Sequence, residues 1–581
     1  VQGHGRPGRV APAAAAGARK APKRPAPLKR QKYFISRGNN SQLLLQAFKH
    51  RAGWSPAKQP ADAHFVWRMY KARGDFELPH TRRAPRLLNH FLGNVGLVSK
   101  SGLFKSLRAY HTMRGTNLWA SVPMTFYLKA GVSDEETDRF LAAASQAASG
   151  CGARQQLQAR LRPQPQQSPV DGAAFAAPAP APTLSPSASS HTTATPAPAP
   201  AQFWIVKPAS ATNRGVGIRV VKSASEALAL VNGTTKSGAD GTATSTKTKT
   251  TAITSTAIAN ANKNTSKSKS KNKTKHETGE TPHKKKTKQN VHKHWIVQEY
   301  MARPLLYKGR KFDIRVFVLL VSRRKAVASS DPKAKRAVLS SKASSIDVHI
   351  FNDGYLRTSS KKWSLDPRKL SDRLMHLTND GVQCKAEKGG YGKYETGNKL
   401  SYATFEEYLG RTRPEARGAL GEVILPRVRE LVVESIEATA ATLNPERRSH
   451  CFELLGYDFM VDEGLNTWLI EVNSNPCLED WSCPLLKGML PVMVNQVVGK
   501  IVDRPRAGGD SSGSKGAVGT DGIAAADGSV CADAIAHQTS LDPSVRRRFD
   551  LLANVQLKAS AGRGSEKAST AIEVEAVAHG Q

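Results

Sequence analysis

The sequence predicts an α/β (α+β) fold, in which a small N-terminal α/β lobe precedes a larger sheet-based core and long segments of biased composition interrupt the chain. Segments 452–462 and 468–476 alternate apolar and polar residues on either side of Glu463 and Gly464, as expected of two antiparallel strands joined by a turn. Residues 403–443 instead place apolar side chains at helical spacing. Strands and helices are therefore expected in one core.

The elements before this hairpin can be placed in chain order. Residues 32–35 favour a strand, and 40–48 favour a helix because polar residues precede an apolar face. The further elements expected are an ordered segment at 134–148, strands at 203–208, 294–300, 314–321 and 346–351, and short helices at 225–231 and 543–557.

Composition sets the proposed boundaries. Segments rich in Pro, Ala, Ser, Thr or Lys bury too little apolar surface to fold, and long insertions are tolerated because the entropy of loop closure grows only logarithmically with length. The segments are 1–30, a disordered basic arm; 31–150, the N-terminal α/β lobe; 151–202, a Pro- and Ala-rich linker or insertion; 203–232, the first part of the core; 233–291, a low-complexity Thr- and Lys-rich insertion; 292–502, the main core; and 503–581, a mostly disordered C-terminal tail. A shorter basic insertion is expected at 322–345.

The charge of the chain indicates an acidic partner. Its 581 residues carry 86 Lys and Arg against 47 Asp and Glu, which gives a net charge of +39. Nucleic acid, an anionic membrane surface and an acidic protein surface would each satisfy this charge. The basic runs are poor in aromatic residues and carry no nucleic-acid-binding motif, which disfavours a nucleic-acid-binding protein. No apolar run approaches the roughly 18 to 20 residues of a membrane span, so no membrane contact is expected.

The six cysteines form no CxxC pair and no zinc-like spacing with histidine. They are interpreted as reduced thiols of a cytosolic protein. The chain begins at Val1 instead of Met, which leaves open whether its natural start lies further upstream.

Oxygen-bearing side chains occupy polar positions of the predicted strand pair. Asp458 lies on the first strand, and Glu471 and Asn473 lie on the second. Antiparallel pairing would bring the three together, and hard oxygen ligands of this kind suit Mg²⁺, which keeps several waters and binds substrate phosphates. A β-hairpin with solvated carboxylates is the alternative interpretation.

A glycine-containing turn follows the strand that ends in Lys207. Arg214, Gly215, Val216 and Gly217 form this turn, and they precede another strand. Glycines let backbone amides approach phosphate oxygens, and a lysine at the strand end supplies a positive charge. Because the turn joins two strands, it matches neither a Rossmann fingerprint nor a Walker loop, and an ordinary hairpin turn is the alternative.

Three charged residues share one face of the strand that begins near residue 311. Lys311, Asp313 and Arg315 alternate with apolar neighbours. On a central strand these charges need ligands or partners, because burying a charge unpaired is costly. A solvated edge strand is the alternative. Backbone groups that could hydrogen-bond an adenine edge lie at the end of another strand, in Gln298, Glu299, Tyr300 and Met301.

The order of six sequence strings resembles that of the tubulin–tyrosine ligase-like proteins, which carry an ATP-grasp catalytic core. The strings are WIVKPA with RGVGI, IVQEYM, KFDIRVFVLL, HLTND, ELLGYDFMVD and WLIEVNSNP. The resemblance covers about 200–232, 294–321, 346–400 and 450–500, with fainter similarity at 32–40 and 89–91. Six motifs in family order are specific for the family and much less specific for the amino acid that is added.

The resemblance implies a role for each candidate residue. ATP would be held by Lys207, Arg214, Gly215, Gln298, Glu299, Tyr300, Met301, Lys311 and Asp313, with Thr378 and Asn379 in the loop that closes over it. The magnesium ligands would be Asp458, Glu471 and Asn473. The carboxylate of the incoming amino acid would meet Arg357 and Lys399. Arg315 would hold the transferred phosphate, so the residues expected to act in catalysis are Arg315, Lys207 and Glu471.

The resemblance also implies a function. It is an ATP-dependent ligase that joins an amino acid, expected to be glutamate, to a carboxylate of a tubulin tail through an acylphosphate. The expected partners are tubulin or microtubules, through their acidic C-terminal tails, and the free amino acid. The protein is expected to be monomeric and to act in the cytoplasm at the cytoskeleton, including a cilium or basal body. The basic insertions would attract acidic tails, or would only keep long loops solvated.

Two departures from the family pattern leave alternatives open. Val216 stands where many members carry a basic residue, and Asp380 with Gly381 follows Asn379 where glutamate-adding members more often carry residues that touch the amino acid. A glycine- or tyrosine-adding ligase, an inert microtubule-binding scaffold, and another ATP-grasp ligase acting on a small carboxylate therefore remain alternatives. The presence of Lys207 and of all three magnesium candidates argues against the scaffold.

Overall fold

A computed structural model describes most of the segments that the sequence predicts to be folded. The described residues are 3, 31–49, 51–77, 86–148, 202–209, 215–234, 292–327, 338–386, 390–478, 483–502 and 548–557. Nearly all of the expected basic arm, both long insertions and most of the expected tail lie outside these residues, as does Arg214.

The elements follow one another in chain order. The strands are β1 (Gln31–Ile35), β2 (Trp54–Pro56), β3 (Phe65–Trp67), β4 (Leu87–Leu88), β5 (Thr125–Lys129), β6 (Trp204–Pro208), β7 (Arg219–Val221), β8 (His294–Glu299), β9 (Leu306–Tyr307), β10 (Arg310–Val327), β11 (Val338–Lys362), β12 (Lys399–Ser401), β13 (Phe452–Val461), β14 (Thr467–Ser474) and β15 (Phe549–Gln556). The helices are α1 (Ser41–Lys49), α2 (Arg73–Glu77), α3 (Val95–Val98), α4 (Lys100–Arg114), α5 (Glu135–Ala148), α6 (Ala224–Val231), α7 (Arg373–His376), α8 (Asp380–Gln383), α9 (Tyr402–Thr412), α10 (Leu425–Leu443) and α11 (Pro484–Val502).

The largest sheet carries the candidate site. Its strand order is β12-β11-β10-β13-β14, with β9 added beside β10 and β15 beside β11. The predicted strand pair is confirmed, because β13 and β14 are antiparallel and Asp458 lies opposite Glu471. Strand β10 pairs with β11 on one side and β13 on the other, so it is an interior strand. The alternative of a solvated edge strand is therefore wrong.

A second sheet brings together parts of the chain that are far apart in sequence. Its order is β5-β8-β6-β7, and every neighbouring pair is antiparallel. Phe126, Phe140, Trp204 and Val297 are buried in the core beneath it. Strand β5 and helix α5 precede the 151–202 segment, yet they complete the sheet formed by the strands that follow it. This sheet forms the opposite wall of the candidate site.

Two predictions about the periphery are wrong. The expected insertion at 322–345 is largely a continuation of the β10–β11 hairpin, in which Ala326 lies opposite Leu339; its basic composition hid the strand pattern. The helix expected at 543–557 is strand β15, which pairs antiparallel with β11. Its Phe549 and Val555 are buried in two different cores, so tertiary pairing decides its conformation over local preference.

Helix α11 is long and apolar enough to cross a membrane by length and composition alone, and it is the one such helix within the described parts of the chain. The expectation that no apolar run approaches this length is therefore wrong. Its Leu490, Met493 and Val497 are buried in a core that also contains Phe317 and Phe452 of the main sheet. In this structure the helix covers one face of that sheet.

Candidate active site

One pocket between the two sheets contains most of the residues singled out in the sequence. Those that line it are Lys207, Gln298, Glu299, Tyr300, Met301, Lys311, Asp313, Arg357, Thr378, Asn379, Asp458 and Glu471. They come from strands of both sheets and from the loop between α7 and α8. The described candidates outside this lining are Gly215, Arg315, Lys399 and Asn473.

Strand register explains how these side chains meet. In antiparallel sheets, residues directly opposite each other project from the same face. One row across the main sheet joins Asp313 to Arg357 and Arg357 to Lys399. A second row, two residues further along β10, joins Arg315 to Asp458 and Asp458 to Glu471. The period-2 pattern of charges in the sequence therefore becomes two rows of charge on one face.

Two of the lysines that line the pocket are buried. Burial lowers the pKa of Lys207 to about 8, an effect that Glu471 partly opposes. Burial and the neighbouring Lys207 lower the pKa of Lys311 to about 7. The Lys311 ammonium also lies 4.2 Å from the centre of the Tyr300 ring. Two buried amines close enough to affect each other form a site that favours an anion.

The glycine turn packs closely against helices α7 and α8. Gly215 has a φ of +71°, and a Cβ built on it would lie 2.7 Å from Val382 Cγ2. Arg373 donates a hydrogen bond to the Gly215 carbonyl. The turn therefore needs glycine for its backbone conformation and for space. Arg373 was not singled out in the sequence, because its partner is a backbone atom 158 residues away.

Two backbone N–H groups at the end of β8 complete the second sheet. The N–H groups of Glu299 and Tyr300 donate to the carbonyls of Met124 and Phe203 and so complete the second sheet. The Gln298 side chain is buried and accepts a hydrogen bond from Lys207 at 2.7 Å. Gln298 therefore contacts Lys207 through its side chain.

Carboxylates and guanidinium groups are interleaved at the centre of the site. The Arg357 guanidinium donates to both Asp313 oxygens, at 2.7 and 2.8 Å, and its Nη2 also lies 2.7 Å from Asp458. Arg315 donates to both Asp458 oxygens, at 2.5 and 3.1 Å. Burial disfavours ionisation of Asp458, but the two guanidinium groups outweigh it and hold its pKa below its usual range. Thr378 donates to Asp313 and ties the loop to this cluster.

Lys399 lies beyond this cluster, next to Arg357. Its ammonium is 3.3 Å from Asp380 and 3.2 Å from the carbonyl of Gly397. Tyr355 is close enough to interact electrostatically with Arg357, Lys399 and Asp380. The two residues expected to hold an amino-acid carboxylate are thus adjacent and buried, and each already contacts an acidic side chain.

Asn473 lies within hydrogen-bond distance of both of the other magnesium candidates. The Asn473 amide donates to Asp458 at 3.3 Å and to Glu471 at 3.2 Å. No group of three or more His, Cys, Asp or Glu side chains suited to a metal occurs among the described residues, so a site here needs the Asn473 oxygen as well. With the Asn473 amide turned so that its oxygen instead of its NH₂ faces Asp458 and Glu471, two carboxylates and one amide would form an all-oxygen donor set, which fits a magnesium ion.

Comparison with known proteins identifies the family. The sequence model of the tubulin-tyrosine ligase family matches residues 83–327 and 338–506, which is more than half of the chain. The chain belongs to the tubulin-tyrosine ligase family. This membership confirms the α/β (α+β) class with an ATP-grasp core that the sequence predicted.

Individual family members are similar over shorter regions. Tubulin glycylase 3D of Tetrahymena thermophila is 31% identical over 209 residues, which are 36% of this chain and 18% of that protein. Tubulin monoglutamylase TTLL4 is 31% identical over 192 residues in Mus musculus, covering 32% of this chain and 14% of that protein. The protein of the same name in Homo sapiens is 30% identical over 207 residues, covering 34% and 15%. The chain therefore spans less than a fifth of these relatives, which include enzymes named for two different amino acids.

A segment that precedes the family match, around Asn40, is hydrogen-bonded to the chain beside the candidate site. Asn40, in the αL conformation, donates to the Asn475 side chain at 3.0 Å and to the Pro476 carbonyl at 2.9 Å, and accepts from the Leu478 N–H at 2.8 Å. These bonds fix the chain shortly after Asn473. In the sequence, only the RGNN string around Asn40 drew attention to this segment, and it did not indicate which residues Asn40 contacts.

A buried carboxylate reinforces the same connection. Glu453, on β13, accepts hydrogen bonds from His90 at 3.1 Å, the Phe91 N–H at 3.2 Å, Asn94 at 2.5 Å and Ser474 at 2.6 Å. Ser474 directly follows Asn473 in the chain. The N-terminal lobe therefore fixes the end of the strand that carries two magnesium candidates.

Proposed function

We propose that this protein is an ATP-dependent ligase that adds an amino acid, with glutamate as the first candidate, to a carboxylate in the acidic tail of tubulin. The observation that carries the proposal is the pocket itself. Two buried lysines face an oxygen cluster formed by Asp458, Glu471 and Asn473, and two arginines lie directly behind it. Family membership supports the same chemistry.

The reaction proceeds in two steps. A carboxylate oxygen of the protein substrate attacks the γ-phosphorus of ATP, and ADP leaves, which gives an acylphosphate. The amine of the amino acid then attacks the acyl carbon, loses a proton, and expels inorganic phosphate to leave an amide. No nucleophilic serine or cysteine is required. Rate comes from positioning the reactants and from preorganised positive charge.

The residues divide this work by location. Lys207 and Lys311 bind phosphate oxygens, and the Met301 backbone meets the adenine edge at the rim of the pocket. Arg315 holds the phosphoryl group as it moves between oxygens. A magnesium ion bound by Asp458, Glu471 and Asn473 would neutralise phosphate charge, and the chain's own lysines and arginines supply the remaining positive charge.

Basic side chains that could meet the carboxylate of the amino acid are grouped around Arg357. Arg315, Arg357 and Lys399 are all buried within one group of side chains that surrounds Tyr355. Each of the three already contacts an aspartate, so their charge alone does not distinguish glutamate from glycine. Glutamate is the first candidate because Thr378 and Asn379 are present in this chain. Relatives named as glycylases make glycine the second candidate.

Incorporation of radiolabelled glutamate, glycine and tyrosine into purified microtubules, in parallel and with Mg-ATP, tests the proposal. Label from glutamate alone is expected. Glu471→Gln should abolish it, because the substitution removes one of the two carboxylates of the oxygen cluster. Glu463→Gln is the matched control, since Glu463 is an exposed acid at the turn of the same hairpin.

The alternatives give different results. Label from glycine or tyrosine alone would keep the ligase and replace the amino acid. Microtubule binding without label from any amino acid would contradict a tubulin ligase and favour the inert scaffold. Salt-sensitive binding to DNA as well as tubulin, again without label, would favour a general binder of polyanions.

A further inference from the structure

A chain of hydrogen bonds connects the phosphate-side lysine to Thr125, a residue of β5 in none of the sequence motifs. Lys207 donates to Gln298 Oε1 at 2.7 Å. Gln298 Nε2 donates to Thr125 Oγ1 at 2.8 Å, and Thr125 Oγ1 donates to the Pro123 carbonyl at 2.5 Å. All three side chains belong to residues that are more than nine-tenths buried, with Thr125 only 3% exposed.

The hydrogen bond from Thr125 to the Pro123 carbonyl determines the direction of the other two bonds. A hydroxyl has one proton to donate, and the Thr125 proton is used on the Pro123 carbonyl. The Thr125 oxygen can therefore only accept from Gln298, so the amide NH₂ must face Thr125. The amide oxygen must then face Lys207. A flipped amide would set its N–H groups against the Lys207 ammonium and would break both bonds.

Sheet register holds the three side chains on one face. Thr125 lies directly opposite Gln298 in the β5–β8 pair. In the β6–β8 pair, Lys207 lies opposite Ile296, which is two residues before Gln298 and so points the same way. The connection therefore runs across three adjacent strands and does not depend on a loop.

We propose that Thr125 is a positioning residue for nucleotide binding, because its hydroxyl orients the Gln298 amide that holds the Lys207 ammonium toward the phosphates. This inference rests on the proposed function, since it requires ATP to bind in this pocket. Thr125 itself touches neither reactant. It acts through Gln298.

Thr125→Val tests the proposal, because valine keeps the shape and strand preference of threonine and removes only the hydroxyl. The full chain is titrated with a non-hydrolysable ATP analogue and magnesium in a calorimeter. The Kd should rise about tenfold, the size expected when a buried donor loses its partner. Thr125→Ser restores the hydroxyl and should bind within about twofold of the wild type. Thr125→Ala is measured alongside, so that the comparison does not depend on one folded variant.

A double-mutant cycle distinguishes an effect of Thr125 that acts through Gln298 from a general effect on packing. In a Gln298→Met background, Thr125→Val should cause no further loss of affinity, since the amide that it orients is gone. If Thr125→Val lowers the affinity as much in that background as in the wild type, the proposed role of Thr125 is wrong. Equal affinity of the wild type and Thr125→Val would also overturn it. Either result would leave the proposed function standing. Failure of the wild-type chain to bind the analogue would overturn both.

Discussion

Nucleotide binding should draw protons into the pocket, mainly at Lys311. This lysine is 4% exposed, and burial together with Lys207 lowers its pKa to about 7. At about pH 8 only about one tenth of the free protein therefore carries the proton at this position. Bound phosphates would stabilise the ammonium form. Binding should take up about 0.9 proton at Lys311, and about 0.5 more at Lys207, whose pKa is about 8.

Calorimetric titration with a non-hydrolysable ATP analogue and magnesium measures this uptake. The apparent binding enthalpy is compared at about pH 8 in two buffers with different ionisation enthalpies, such as Tris and HEPES. Lys311→Met should lower the uptake by about 0.9 proton. Lys308→Met, which changes an exposed lysine close to the start of the same strand, should not alter it. Identical wild-type enthalpies in both buffers would refute the reasoning.

The same shift makes a prediction for stability. The pKa of Lys311 is lower in the folded protein than in the unfolded chain, so the unfolded chain binds more protons between these two values. Stability from this group should therefore increase with pH, by about 2 kcal/mol from about pH 7 to about pH 9. Lys311→Met should remove this increase. Urea unfolding of the two proteins at both pH values measures it, and parallel pH profiles would contradict the assignment.

Three further substitutions test other parts of the structure. Gly215→Ala adds a Cβ against Val382 at a positive φ, so analogue affinity should fall roughly tenfold; Gly53→Ala, also at a positive φ but in open space, should leave affinity unchanged. Glu453→Leu leaves several buried hydrogen-bond donors without their acceptor and should lower the free energy of unfolding by about 3 to 5 kcal/mol in urea titrations. Phe549→Ala should cost about 3 to 5 kcal/mol, and unchanged stability would show that β15 does not belong to the core.

The sequence predicted the parts of the site that follow strand periodicity. Asp458 and Glu471 were placed together because each occupies a polar position in an apolar strand, and the structure sets them directly opposite each other. Lys311, Asp313 and Arg315 were placed on one face for the same reason, and they are buried on an interior strand. Period-2 patterns carry this information because one face of the sheet is enclosed.

Residues whose partners are distant in sequence could not be predicted. Asn40 bonds to residues more than 400 positions away, and Arg373 bonds to a backbone carbonyl. Thr125 is one of many threonines, and its role becomes visible only once β5 lies beside β8. The strand at Phe549 was missed because its apolar residues enter cores built from other parts of the chain. Local pattern does not encode such contacts.

The distribution of partners among the four central cations supports the proposal that the pocket binds a polyphosphate. Arg315 and Arg357 are paired with buried carboxylates. Lys207 instead bonds to the neutral Gln298 amide, and Lys311 lies over an aromatic ring. Such partners offset little of the cost of removing an ammonium from water, which is why both lysines have lowered pKa values. A bound polyanion relieves that cost at both lysines at once. The two halves of one pocket therefore differ: the arginines are paired with carboxylates, whereas the lysines contact a neutral amide and an aromatic ring, and bound phosphates would stabilise their charged forms.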